Sequence, residues 1–214
     1  MARILITSGP TRQYIDPVRY LSNASSGQMG RCLASAALER GHEVVVVSGP
    51  VQLTYPAECE VIPVISTDDM LRVCQEIFAD CDGLIGAAAP CDYQPFEVAD
   101  HKIPKTGKSL VIQLLETPDV VASLGAQKNP TQWTVGFALE TDDARFRALA
   151  KLERKSCDLV VLNGVTAIES PENSVEIIAR GGQILQSIQG SKQSVAAGIM
   201  NLIQERLIEG GHSL

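Results

Sequence analysis

The hydrophobic positions of this chain fall into short runs that alternate with stretches of helical spacing. Arg3 to Ser8 reads as a strand, Met29 to Arg40 as a helix stopped by Gly41, and Glu43 to Ser48 as a second strand, which together predict a βαβ unit. Further strands are predicted at Glu60 to Ile65 and Gly83 to Ala88. The latter, a continuous apolar run between Asp82 and Pro90, has the pattern of a strand buried on both faces of a parallel sheet. A helix is expected from Asp68 to Ala79. Another opens at Thr117-Pro118-Asp119, with Thr117 as N-cap and Pro118 in the first helical position.

Beyond that point the spacing predicts strands at Leu110 to Leu115, Trp133 to Leu139 and Asp158 to Leu162, with a helix from Asp142 to Lys155. Val98 to Ser109 carries three lysines, a proline and a glycine without apolar periodicity, so it reads as a mobile loop. Near the end, Val175 to Ala179 and Gln183 to Ile188 flank Gly181-Gly182, a hairpin signal, before a helix from about Ser194 to Ile208. The expectation is a single domain over residues 1–214, an α/β fold with a doubly wound, mostly parallel, Rossmann-like sheet and a small antiparallel C-terminal extension.

One connection breaks the usual proportions. Loops within α/β units run about 2–6 residues, but the link from Ser8 to the first helix is much longer, polar and rich in Gly, Ser and Pro. It leads into a helix N-terminus, where free N–H groups and the helix dipole favour anions such as phosphate. Ser25-Ser26-Gly27 can cap that helix and let a ligand approach the backbone.

Composition narrows the function classes. With 18 Lys+Arg against 25 Asp+Glu the net charge is -7, which argues against a nucleic-acid or acidic-membrane binder, so any anion site must be local. No apolar stretch is long enough to span a bilayer, and no basic-then-apolar leader opens the chain, so a cytoplasmic protein is expected. Six cysteines without a CxxC pair read as small buried hydrophobes in a reducing compartment.

Ligands of open α/β sheets bind beyond the carboxyl ends of the strands. Asn23, Ser25 and Ser26, Asp92, Phe137 and Asn163 all follow or end predicted strands. Ser25 to Gly30 does not make GxGxxG, and the second strand ends without the acidic residue that would hold a ribose, so a nicotinamide enzyme is disfavoured. Lys151 and Lys155 share a helical face with Arg147 one turn earlier; this is either a solvated basic stripe or a polyanion grip. Asp92 reads as a Mg2+ or nucleotide-hydroxyl ligand, or as a turn cap.

The run TSGPTRQYIDPVRYLSNASSGQMG, from Thr7 to Gly30, closely resembles the opening of the phosphopantothenoylcysteine synthetase family, particularly its bacterial form. GAAAPCDYQP, HKIPK, ETPDVV, VGFALET and KLERKSCDLVVLN continue the resemblance in order along most of the chain. The resemblance implies a ligase that activates 4'-phosphopantothenate with CTP, or with ATP as in the eukaryotic branch. An acyl nucleotide forms, pyrophosphate leaves, and L-cysteine attacks to make an amide. It implies nucleotide binding by Gly86, Ala87, Ala88, Asp92, Lys102, the Pro118, Asp119, Val120, Val121 turn, Phe137, Lys151 and Lys155. Lys102 would stabilise charge on the reacting phosphate, and Asn23 would orient the acyl group. Arg19, Ser25, Ser26 and Gly27 would serve the substrate phosphate. Mg2+ and a homodimer are implied as well.

Two departures from the family pattern stand out. Pro104 interrupts the basic KxKK segment, and Gly164 replaces an acidic residue after Asn163, so no acidic role is carried to that position. They are the support for a rival reading, a nucleotide- or acyl-phosphate-binding module that does not turn over. The family's flavin-dependent decarboxylase partner domain is not recognisable ahead of Met1, which leaves a stand-alone synthetase or a part of a bifunctional protein.

Overall fold

The computed structural model describes residues 1–139, 144–163 and 172–210. Its core is an eight-stranded sheet built on β1 (Arg3–Ser8), β4 (Glu43–Ser48), β5 (Glu60–Pro63), β6 (Gly83–Gly86), β9 (Trp133–Leu139), β10 (Leu159–Asn163), β11 (Glu172–Ala179) and β12 (Ile184–Ser191). The strand order is β12-β11-β10-β9-β6-β1-β4-β5. The six strands from β5 to β10 are mutually parallel, while β11 and β12 continue the sheet antiparallel. That is the doubly wound order, with the topological switch point between β1 and β6.

Side-chain alternation explains the two layers of helices. Ile4, Ile6, Val44, Val46 and Ile85 face α1 (Gln28–Leu38) and α5 (Lys192–Ile203). Leu5, Val45, Val47 and Leu84 face α2 (Thr67–Phe78) and α3 (Val120–Gln127), and the same side continues under α4 (Ala144–Arg154) through Val160 and Leu162. Gly83 lies beside Trp133 in the β6–β9 register, and a Cβ there would stand 2.1 Å from the indole, so glycine lets the ring lie flat against the strand. No helix among the described residues is long and apolar enough to cross a membrane.

Several sequence expectations shift. The long connection after β1 is not an open loop: β2 (Arg12–Asp16) and β3 (Arg19–Ser22) form an antiparallel hairpin standing off the main sheet. The strand expected at Leu110 to Leu115 is the short β8 (Leu114–Glu116), which pairs only with β7 (Tyr93–Pro95) and is exposed throughout. Between them, residues 96–113 form no regular element. The last helix starts at Lys192 and passes into a π-turn at Gln204–Ile208. Gly181 and Gly182, at φ 78° and 90°, make the predicted hairpin turn between β11 and β12. The expected start of α4 at 142–143, and the departure at Gly164, lie outside the described residues. All six cysteines are free and five are buried, Cys59 being half-buried.

Candidate functional site

A cavity of about 450 Å³ opens at the carboxyl ends of β1, β6 and β9. Thr7, Gly86, Ala88 and Phe137 line its floor, Pro90 to Tyr93 form one wall, Glu116 to Ala122 the other, and Arg154 and Lys155 close its rim. Gly86, Ala88, Asp92, the Pro118 to Val121 turn, Phe137 and Lys155, far apart in sequence, are thus gathered into one hollow. Ala87 packs in the core beside it.

The 117–121 wall is set by capping chemistry that differs from the sequence expectation. Asp119, not Thr117, is the N-cap of α3, and its carboxylate accepts from the Ala122 N–H at 3.0 Å. Thr117 cannot cap because its hydroxyl is turned the other way, donating to the Cys91 carbonyl at 2.5 Å. Pro118 consequently precedes the helix. The cap also tethers the rim: Lys155 Nζ lies 3.1 Å, and Arg154 3.7 Å, from Asp119 Oδ2.

Lys155 is placed by backbone packing as much as by charge. Its N–H still donates to the Lys151 carbonyl at 2.9 Å, so it continues the α4 turn, and Ser156 then leaves it at φ 52°. A Cβ on Gly125 of α3 would come within 2.1 Å of the Lys155 carbonyl, so only glycine allows the two helices this approach. Lys128 at the end of α3 fastens the following turn, pairing with Asp158 at 2.5 Å and donating to the Ser156 carbonyl at 2.9 Å. Lys151, one turn back, is half-buried and lies outside the cavity lining.

Asn23 follows the β2–β3 hairpin and reaches the opposite wall. Its Nδ2 donates to the Ala89 and Pro90 carbonyls at 3.2 and 2.8 Å, which commits both amide hydrogens and leaves Oδ1 as its acceptor. Ser25 and Ser26 lie instead in a separate hollow with Arg12 and Gln28, at the start of α1, and Gly27 caps that helix at φ 73°.

Arg19 and Lys102 lie outside the cavity. The Arg19 guanidinium forms a two-point ion pair with the buried Asp16 and donates to the Ile103 carbonyl at 2.9 Å, while the Ile103 N–H donates to Asp16 Oδ2 at 3.1 Å. The Arg19 side chain, with help from the backbone N–H groups of Val18, Ile103 and Arg19, holds the Asp16 carboxyl well below the usual carboxylate range. Lys102, next to this clamp, is exposed and does not line the cavity. The clamp was missed in the sequence, although Asp16-Pro17 followed by Arg19 is a turn with charges of opposite sign on either side.

Residues 1–207 match the family model for the DNA/pantothenate metabolism flavoprotein C-terminal domain. The chain belongs to this family. A relative, the coenzyme A biosynthesis bifunctional protein CoaBC of Haemophilus influenzae, is 40% identical over 206 residues, 95% of this chain and 51% of the relative. The chain spans about half the length of the curated relatives it matches. The crystal structure of a C-terminal domain of CoaBC is 36% identical, with a TM-score of 0.81 over 97% of this chain and 96% of that one. A Cab2 variant in complex with phosphopantothenate-cysteine shares the fold at 17% identity, with a TM-score of 0.82 over 97% of this chain and 86% of that one.

Proposed function

We propose that this chain forms a phosphopantothenate–cysteine ligase domain. It activates the carboxylate of 4'-phosphopantothenate with CTP, or ATP, and joins it to L-cysteine. The reading is supported above all by one observation: the cavity collects Gly86, Ala88, Asp92, Pro118 to Val121, Phe137 and Lys155, the positions that the family resemblance assigns to the nucleotide. Membership of the DNA/pantothenate metabolism flavoprotein C-terminal domain family and the likeness to CoaBC point the same way.

The substrate carboxylate attacks the α-phosphorus, pyrophosphate leaves, and an acyl nucleotide forms. The cysteine amine then attacks the acyl carbon, expelling the nucleoside monophosphate and giving up a proton. Lys155 at the rim meets the polyphosphate, and exchanging its Asp119 partner for phosphate keeps the ammonium paired. Backbone groups around Gly86 and Phe137 read the base. Asn23, its amide hydrogens held by the wall, presents Oδ1 to the incoming ammonium or amine. Lys102, carried by the clamped segment, supplies positive charge to the reacting phosphate once that segment bends over the cavity.

Mg2+ fits the donor set: Asp92 and Glu116 offer hard carboxylate oxygens at the mouth, and a Mg2+ site needs only one or two of these beside substrate phosphates. The metal would neutralise phosphate charge there. Ser25, Ser26 and Gly27 at the start of α1 serve the pantothenate phosphate, Arg19 holds the clamp instead of the substrate, Lys151 supports the nucleotide from one turn away, and the enzyme works as a cytoplasmic homodimer.

The test is product analysis. Protein given phosphopantothenate, cysteine and CTP should release CMP and pyrophosphate together with phosphopantothenoylcysteine, all read by mass spectrometry. Release of CDP and phosphate would overturn the acyl-nucleotide route, and absence of any coupled product would overturn the ligase reading.

A further inference from the structure

Two buried threonines from distant parts of the chain close a ring around one peptide of the cavity wall. The Cys91 N–H donates to Thr11 Oγ1 at 2.8 Å, the Thr11 and Thr67 hydroxyls are 2.9 Å apart, and Thr67 Oγ1 lies 3.2 Å from the Cys91 carbonyl. Each hydroxyl has a single proton. With Thr67 spending its proton on the carbonyl, Thr11 must donate to Thr67, so the ring runs in one direction and returns to the residue where it began. Gln13 Nε2 adds a donor to Thr67 Oγ1 at 2.9 Å. Thr11 and Thr67 are fully buried.

The ring substitutes for a strand partner. Cys91 lies beyond the end of β6 and before β7, with no ladder neighbour, yet both of its backbone groups must be satisfied in a dry interior. Thr67 is not needed for this by its own helix: Ser66 is the N-cap of α2, in a capping box with Asp69. Its hydroxyl is therefore free to act across the fold.

We infer that Thr67 and Thr11 are positioning residues for the reaction, fixing the 89–92 wall from which Asn23 and Asp92 address the substrates; this rests on the ligase reading. The ring holds both sides of that wall. Immediately before it are the Ala89 and Pro90 carbonyls that anchor Asn23. At the same carbonyl as Thr67 arrives the Thr117 hydroxyl, and the Thr117 N–H donates to the Asp92 carbonyl at 2.9 Å, so the ring also sets the start of the 117–121 turn. Loss of the Thr67 hydroxyl leaves the Thr11 proton and the Gln13 amide without their acceptor, loss of the Thr11 hydroxyl leaves the Cys91 N–H without one, and either releases the wall on its hairpin side.

The test compares Thr67→Val, which keeps the shape and loses the hydroxyl, with Thr67→Ser, which keeps the hydroxyl, in steady-state kinetics and amide exchange. Thr67→Val should lower kcat about tenfold or more, since small misplacements of reacting groups are costly, and should speed exchange at Cys91. Thr67→Ser should stay within about twofold of the parent, because its hydroxyl can rebuild the ring. Thr11→Val breaks the same ring from the hairpin side and should reproduce the kcat loss if Thr67→Val does not fold. A folded Thr67→Val or Thr11→Val protein with a lowered Tm but unchanged kcat and KM would overturn the inference, leaving the threonines a purely structural role. A parent protein that makes no phosphopantothenoylcysteine would instead overturn the ligase reading, so the two failures are distinct.

Discussion

Lys155 Nζ lies 3.1 Å from the carboxylate of Asp119, so the residue that caps α3 also holds the lysine at the cavity rim. An incoming triphosphate must displace that carboxylate. Lys155→Ala should weaken CTP binding by about 1–3 kcal/mol, the range for charge-assisted hydrogen bonds, because it removes the cation and leaves Asp119 facing the phosphates. Titration calorimetry measures the effect directly, and unchanged affinity would return Lys155 to a solvated role.

Gly125→Ala tests the packing that places the same lysine. The added Cβ would meet the Lys155 carbonyl at 2.1 Å, so α3 and α4 must separate. Overpacking of this kind costs about 1–3 kcal/mol. Thermal unfolding should show the lost stability and calorimetry a weaker nucleotide grip; a variant as stable as the parent would mean that the helices part at no cost.

Asn23→Asp replaces an amide that donates to two carbonyls with a carboxylate that can only repel them. The turnover of a preformed acyl nucleotide on adding cysteine should slow by about 10²-fold, the cost of a misplaced group at a reacting centre, because the side chain is no longer anchored to the wall that aims its oxygen. Rapid quench separates this step from nucleotide binding. Consumption at the parent rate would remove Asn23 from the chemistry while leaving the nucleotide cavity untouched.

The Asp16–Arg19–Ile103 clamp makes a pH prediction. An unfolded aspartate titrates near 3.9, and Arg19 lowers the folded value. A depressed carboxylate contributes stability above the unfolded value and loses it as pH falls through the folded one. Proteolysis of the 97–113 segment should therefore be flat from neutral pH down to about pH 5, well above that value, and rise only under stronger acid. Asp16→Asn should be cleaved faster across the whole range. Equal cleavage of the two proteins would show that the clamp does not restrain the segment.

The parallel core was legible because its strands are buried on both faces and leave unbroken apolar runs, as at Ile4 to Ile6 and Val44 to Val47. The β2–β3 hairpin was not, because it stands off the sheet and buries too little apolar surface to leave a period of two. The α3 cap was misassigned by two residues for a tertiary reason: Thr117 has the right chemistry, but its hydroxyl is claimed by Cys91. Residues of the cavity could be named from motif resemblance, whereas the threonine ring could not, since Thr11 and Thr67 are 56 positions apart and each looks locally like an ordinary polar residue.

Trp133, the chain's one tryptophan, is 1% exposed against Gly83, and the two strands it joins carry Gly86 and Phe137 to the cavity floor. The protein thus contains its own optical label at the seam of the sheet. Its emission reports a single environment, so a red shift in denaturant tracks separation of β6 from β9 without any introduced fluorophore, and every variant above that keeps Trp133 can be compared on the same intrinsic scale.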